Sequence, residues 1–152
     1  MDYIIEVLEK QNIALLKLME YMKEEYQLLI AGKPEPLAEI SFAMQDCIQK
    51  IEDDRKAMIH KLGTSLTQYC KTLPKEHAEQ ILSLAQIIQC QEDMCKEQAQ
   101  YNKALALGMI EQCRKNIAFI QEAMATHVMQ GYMPSGALQK TIVQGTLLEG
   151  RL

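Results

Sequence analysis

The segment from Glu76 to Met129 most constrains the fold of this chain, because it contains no proline and a single glycine, Gly108. Apolar residues recur along it with the periodicity of one face of an α-helix. They are Ile81, Leu84, Ile88, Cys95, Leu105, Met109, Ile117, Ile120, Met124 and Val128. An unbroken helix of this length runs about 80 Å at a rise of 1.5 Å per residue. Such a helix offers a surface for holding another molecule, and it cannot close a catalytic pocket by itself.

The composition also favours an all-helical chain. Of the 152 residues, 48% are apolar and 5% aromatic, and the chain has only 7 glycines and 4 prolines. Leu, Ile, Ala, Met, Glu, Lys and Gln predominate, and most of these are strong helix formers. We therefore predict an all-α antiparallel bundle of three long helices, the third about twice as long or bent, plus one short helix. Residues 1–130 form the bundle domain, and residues 131–152 form a C-terminal tail that is flexible or docked.

Helix-breaking residues set the predicted boundaries. The first helix covers Asp2 to Ala31 and ends before a Gly-Lys-Pro-Glu-Pro loop, and the second runs from Leu37 to Lys61. A short helix is predicted between Thr64 and Leu73. In the first helix we expect one apolar stripe of Ile5, Leu8, Leu15, Met19, Met22, Tyr26 and Leu29, and a second row of Ile4, Leu16, Leu18 and Ile30.

The long helix changes character in its middle. Residues 89–103 read QCQEDMCKEQAQYNK and are mostly polar. A helix that is hydrophilic nearly all round has few tertiary neighbours. We expect this stretch to project, to bend or to contact only one partner helix.

Charge and hydropathy exclude several classes of protein. The net charge is −4 and no basic stripe occurs, so nucleic-acid binding is not expected. No apolar run approaches the roughly 20 residues of a membrane span. The N-terminus, MDYIIEVLEK, lacks the pattern of a secretory signal, so a cytoplasmic protein is the simplest interpretation. The odd number of cysteines, 5, argues against a disulfide framework.

No motif for catalysis or metal binding emerges. The pattern Glu-x-x-His of helical di-metal sites fails, because Ala57, Pro74 and Met124 precede the three histidines by three residues. The acidic run from Glu52 to Asp54 lies beside two basic residues and is typical of a solvated helix face. We therefore expect no enzyme activity, no catalytic residue, no metal site and no cofactor.

Methionines are frequent near the end of the long helix, and this type of side chain suits surfaces that accept varied apolar partners. Met109, Met124, Met129 and Met133 cluster there. Each could simply fill a bundle core. Together with the apolar residues of the tail, they favour a binding groove.

The order of these features resembles the FlgN family of flagellar type III export chaperones, up to about Gly136. The residues that carry the resemblance occur in four groups along the chain. They are Glu24-Glu25 with Leu28 to Gly32; Arg55, Met58, Ile59, Leu62 and Gly63; an Asn-x-x-Leu pattern with Asn102, Leu105, Met109, Ile110, Ile117, Phe119 and Ile120; and the closing Tyr132 and Gly136.

The resemblance implies a cytoplasmic chaperone that binds the C-terminal helical segments of hook-associated proteins and delivers them to the export gate. Further partners that we consider are components of the export apparatus and a second copy of the chain. An amphipathic helix can bind a groove through anchors at i, i+3, i+4 and i+7. We predict the receiving face to be Leu105, Met109, Ile110, Ile117, Ile120 and Met124, covered by Leu138, Ile142 and Leu147 of the tail.

Two alternatives remain open at this point. The long helix could pair with its own copy, as in a self-assembling structural coiled coil with no export role. The chain could instead form a metal- or ligand-binding four-helix bundle, with the long helix broken near Gln100.

Overall fold

The computed structural model describes residues 2–129, with side chains from Tyr3 to Thr126, and the chain there is helical as predicted. The helices are α1 (Asp2–Ala31), α2 (Leu37–Leu62), α3 (Leu66–Cys70) and α4 (Lys75–Met129). The helix α4 has 55 residues and is continuous through Gln100, so the break required by the four-helix alternative does not occur. Three long helices, the last about twice the length of the second, confirm the predicted fold class.

Glycine ends the first two helices where the sequence predicted breaks. Gly32 has a φ of +64° and donates its backbone N–H to the carbonyl of Leu29 at 3.1 Å, while Lys33 N–H reaches the carbonyl of Leu28 at 3.1 Å. These two bonds form the Schellman motif, which requires a left-handed residue at this position. Gly63, with a φ of +63°, closes α2 by a hydrogen bond of 3.0 Å to the carbonyl of Ile59.

The chain divides into two compact units, Met1–Leu107 and Gly108–Leu152. The predicted division at residue 130 stays a prediction, since residues 130–152 lie outside the described part. In the first unit α1 and α2 are antiparallel: the Lys61 ammonium, near the end of α2, lies 3.6 Å from the centre of the Tyr3 ring at the start of α1. No helix within residues 2–129 has the length and apolarity that a membrane crossing needs.

The helices α1 and α4 run parallel in the first unit. The Cys95 thiol donates to the Leu15 carbonyl, and the Asn102 amide donates to the Met22 carbonyl, both across a sequence separation of 80 residues. From the first contact to the second, both helices advance by seven residues, from Leu15 to Met22 in α1 and from Cys95 to Asn102 in α4. The two helices therefore run in the same direction. The chain in this unit therefore runs up along α1, down along α2 and up again along α4.

The core of the first unit uses residues from all four helices. It consists of Ile4, Val7, Leu8, Leu15, Leu18, Met22, Cys47, Ile51, Met58, Cys70, Ile81, Ile88 and Cys95. From the predicted second row of α1, Ile4 and Leu18 are buried, whereas Leu16 and Ile30 are exposed. The buried face of α1 is thus narrower than predicted, and Leu16 is left open to solvent.

The expectation that residues 89–103 have few neighbours is wrong. Cys95 and Asn102 are buried in this stretch, where both contact α1, and Glu92 forms an ion pair with Arg55 of α2. These residues are buried because of their spacing. Ile81, Ile88, Cys95 and Asn102 follow each other at intervals of seven, so they lie on one face of α4, which packs against the other helices. The polar residues between them occupy the outer faces of the helix.

Candidate functional site

Apolar side chains are exposed along α4 within the second unit. Met109, Ile110, Ile117, Ile120 and Met124 have between 36% and 62% of their surface accessible. Every described side chain from Leu107 to Thr126 is exposed. Exposed large apolar residues that lie close together make this segment a candidate interaction surface.

Four of the predicted site residues share one stripe. Ile110, Ile117, Ile120 and Met124 follow at steps of seven, three and four, which places them on one face of the helix. Met109 borders this stripe one residue before Ile110. We call Ile110, Cys113, Ile117, Ile120 and Met124 the α4 stripe.

The other predicted residues have different positions. Leu105 is half-buried and belongs to the first unit, so it does not share the open character of the stripe. Leu138, Ile142 and Leu147 of the tail lie outside the described residues, and their predicted role stays a prediction.

Sequence reasoning omitted Cys113 from this surface, although it is exposed and lies between Ile110 and Ile117 at steps of three and four. The heptad spacing itself was the signal that could have identified it, because cysteine behaves as a small apolar residue. Phe119 is the most exposed large apolar residue here, at 72%, but it lies two positions from Ile117 and so points to the opposite side of the helix.

Several polar side chains outside the α4 stripe form hydrogen bonds or ion pairs within the helix. Lys115 and Glu111 form an ion pair at 3.6 Å, and the Gln112 amide donates to Asn116 at 3.0 Å. The Thr126 hydroxyl donates to the Glu122 carbonyl at 2.8 Å. These interactions stay within α4, so the segment from Gly108 to Thr126 is an amphipathic helix with an apolar stripe open to solvent.

Asn102, part of the Asn-x-x-Leu pattern, is a structural anchor of the first unit. Its side-chain amide nitrogen donates to the Met22 carbonyl and to a Glu25 carboxylate oxygen, both at 2.7 Å, and its oxygen accepts from Gln98 at 2.9 Å. All the hydrogen-bonding atoms of the buried amide are therefore engaged. This arrangement fixes the register of α4 against α1, since a shift of one turn would leave the amide unpaired.

The described residues contain no cluster suited to metal binding, that is, no group of three or more His, Cys, Asp or Glu side chains. Within the acidic run of α2, Glu52 pairs with Lys56 and Asp53 accepts from Gln49, as expected for a solvated face. Burial raises the pKa of the Cys70 and Cys95 thiols, with the Glu92 carboxylate adding to the rise at Cys95. A raised pKa keeps both thiols protonated and weakly nucleophilic.

Comparison with known proteins gives one family. A family model described as "FlgN protein" matches residues 1–140, which is most of the chain. Searches of curated proteins and of solved structures return no match. The matched range includes the whole first unit, the α4 stripe and the first part of the tail.

Proposed function

The chain belongs to the FlgN family of flagellar export chaperones, and we propose that it binds the C-terminal amphipathic helices of hook-associated proteins in the cytoplasm and keeps them competent for export. These proteins form the junction between hook and filament. The family is one of chaperones and not of enzymes, so the proposal involves binding alone, without a cofactor.

The exposed α4 stripe is the observation that most supports this proposal. An unassembled junction protein exposes a helical end that tends to self-associate through its apolar side. A helix that presents Ile110, Ile117, Ile120 and Met124 on one face can pair with such an end through side chains at heptad spacing. Burying one isoleucine in the complex contributes about 2 kcal/mol, or roughly a factor of 30 in affinity.

Neighbouring residues of the chain provide a matched test. Ile120→Asp places a charge in the stripe, and Phe119→Asp makes the same change one residue earlier on the opposite face, at a side chain that is more exposed. We expect Ile120→Asp to weaken binding of a purified hook-associated protein at least tenfold in isothermal titration calorimetry. Phe119→Asp should leave the dissociation constant within a factor of two.

Truncation of the partner completes the test. Removing the C-terminal helical segment of the hook-associated protein should abolish the binding signal. Equal losses for Ile120→Asp and Phe119→Asp, or full binding by the truncated partner, would reject the proposed site. A stable homodimer that Ile120→Asp dissociates would instead favour the self-assembling coiled coil.

We propose that the C-terminal tail, residues 131–152, takes part in the same binding. Leu138, Ile142 and Leu147 are apolar, and in this proposal they cover the α4 stripe when it is empty or fold over a bound helix. Deletion of the residues after Gly136 should then tighten binding in the first case and weaken it in the second. An unchanged affinity would remove the tail from the mechanism.

A further inference from the structure

A second exposed apolar surface lies in the first unit, between α1 and α4. Its walls come from these two helices alone and form a shallow cleft beside Leu16 and Met94 and, one heptad further along, a groove of about 430 Å³ beside Tyr26 and Tyr101. We call this surface the α1–α4 cleft. Its main residues are Leu16, Met19 and Tyr26 of α1 and Gln91, Met94 and Tyr101 of α4.

Large side chains in the cleft remain open to solvent although they lie beside the core. Leu16 is 49% exposed, Met94 is 53% exposed and Tyr101 is 57% exposed. Ile87, at 44%, continues the line one heptad before Met94. The exposed row of α4 therefore spans Ile87, Met94 and Tyr101 at intervals of seven, the spacing that a packed helix would use.

The geometry of the cleft fits a helix as its occupant. The helices α1 and α4 are locked in parallel by the Cys95 and Asn102 hydrogen bonds. Two parallel helices in contact leave a groove along their junction on each side. The helix α2 lies on one side, where Arg55 forms an ion pair with Glu92 of α4, and the other side is the α1–α4 cleft.

Three carboxylates flank the cleft, and one lysine lines it. Glu97 lies at its edge, because its carboxylate accepts a hydrogen bond from the Tyr101 hydroxyl at 3.2 Å. Glu20 follows Leu16 by four residues and Glu9 precedes it by seven, so both share its side of α1. These three carboxylates form no ion pair within the described part of the chain. Lys23 is the cation that lines the groove beside them.

We propose that the α1–α4 cleft binds an amphipathic helix of a partner protein that carries lysine or arginine along both edges of an apolar stripe. The apolar stripe covers Leu16, Met94 and Tyr101. The flanking cations pair with Glu9, Glu20 and Glu97. This docking surface is separate from the α4 stripe, and the inference does not rest on the proposed function.

A designed probe can test this inference with the full chain. The probe is a synthetic 21-residue helix with leucine at the a and d positions of each heptad and lysine at e and g. The control peptide has the same sequence with glutamate in place of lysine. We expect the lysine helix to bind at least tenfold more tightly than the glutamate helix in fluorescence anisotropy. The triple change Glu9→Lys, Glu20→Lys and Glu97→Lys should reverse this preference.

Further variants locate the binding. The double change Leu16→Ala and Met94→Ala should weaken the lysine helix at least tenfold, whereas Ile59→Ala, at an exposed apolar residue of α2, should leave its affinity within a factor of two. Matching circular dichroism spectra and urea midpoints verify that each variant is folded. Ile120→Asp in the α4 stripe should leave the preference for the lysine helix over the glutamate helix unchanged.

Several outcomes would overturn the inference. These are equal binding of the two helices, an unaltered preference after charge reversal, or loss of binding in Ile120→Asp. A homodimer in sedimentation that the Leu16 and Met94 changes dissociate would assign the cleft to a second copy of the chain. Stronger probe binding after deletion of residues 137–152 would assign it to the chain's own tail.

Discussion

Lys75 to Leu107 and Gly108 to Thr126 belong to the same helix, α4, but their side chains have opposite surroundings. The first part includes the polar sequence QCQEDMCKEQAQYNK, yet Ile81, Ile88, Cys95 and Asn102 on it are buried. The second part carries isoleucines, methionines and Phe119, and all its described side chains are exposed. The more polar part is packed and the more apolar part is open.

This difference shows that local hydropathy does not decide burial on a long helix. Burial requires a facing helix, and a few apolar positions in each heptad are sufficient to line the contact. The first part has α1 and α2 beside it and buries even an asparagine, because the Met22 carbonyl and the Glu25 carboxylate accept its hydrogen bonds. The apolar surface of the second part is available for a partner.

The largest expected effect contrasts two isoleucines of α4. Ile81 is 0% exposed and Ile117 is 43% exposed. Ile81→Ala leaves a cavity in the core and should lower the free energy of unfolding by about 3 kcal/mol. Ile117→Ala should change it by less than about 0.5 kcal/mol. Urea denaturation followed by circular dichroism measures both, and equal losses would show that Ile117 is packed in the free protein.

Two asparagines of α4 give the next contrast. Asn102→Ala removes the hydrogen bonds to the Met22 carbonyl and the Glu25 carboxylate, so we expect a loss of about 2 kcal/mol in the free energy of unfolding. Asn116 accepts a hydrogen bond from Gln112 on the same helix and is exposed. Asn116→Ala should therefore be nearly neutral in the same measurement, and a comparable loss there would contradict the contrast.

Cysteine ionisation should also differ between buried and exposed sites. Burial raises the pKa of Cys70 and Cys95 above the usual value of 9.0. At a pH below the pKa of the unfolded chain, both thiols are neutral in the folded and the unfolded state, so their burial does not make stability depend on pH. At a higher pH the thiols of the unfolded chain ionise first, and the free energy of unfolding falls as pH rises. Replacing both residues with alanine should flatten this decline between about pH 8.5 and 10.

A labelling experiment at pH 7.5 checks the same difference. The exposed thiols of Cys90 and Cys113 should react with a disulfide reagent within minutes, whereas Cys47, Cys70 and Cys95, which are buried, should react only after unfolding. Mass spectrometry of the labelled peptides identifies the reacted sites. Rapid labelling of Cys95 would mean that α1 and α4 separate readily at this contact in the folded protein.

The smallest expected effects concern ion pairs. Arg55 and Glu92 join α2 to α4, and the Glu92 side chain is 18% exposed. Arg55→Met should cost up to about 1 kcal/mol, because partly exposed ion pairs contribute little. Lys115→Met removes a solvent-exposed pair within α4 and should cost at most about 0.3 kcal/mol. Raising the salt concentration should reduce both losses.

The sequence predicted most of the fold, because the breakers and the heptad spacing are local signals. Gly32 and Gly63 end α1 and α2 where they were expected to, and the short helix α3 lies within the range predicted for it. The packing of residues 89–103 against the other helices does not follow from their composition, since the segment is mostly polar and only two of its residues, Cys95 and Asn102, are buried. Identifying them required the seven-residue interval to be followed from Ile81.

The candidate site was predicted in part. Ile110, Ile117, Ile120 and Met124 are on one exposed face, as their spacing indicated. Leu105 fits the same helical pattern but is half-buried. Periodicity identifies which residues share a helix face, but it does not show at which residue the neighbouring helices stop covering that face. The α1–α4 cleft does not follow from the sequence: Leu16 belongs to the predicted second apolar row of α1, and its exposure depends on how the three helices assemble.

Hydrogen exchange measured with and without the C-terminal helical segment of a hook-associated protein tests the central claim most directly. The claim is that the bundle buries one face of α4 from Ile81 to Asn102, and that the apolar stripe beyond Leu107 is free to bind a partner helix. We predict that the bound segment slows amide exchange across residues 108–126 and leaves exchange at residues 81–102 unchanged. Protection confined to residues 81–102, with none in residues 108–126, would contradict the claim.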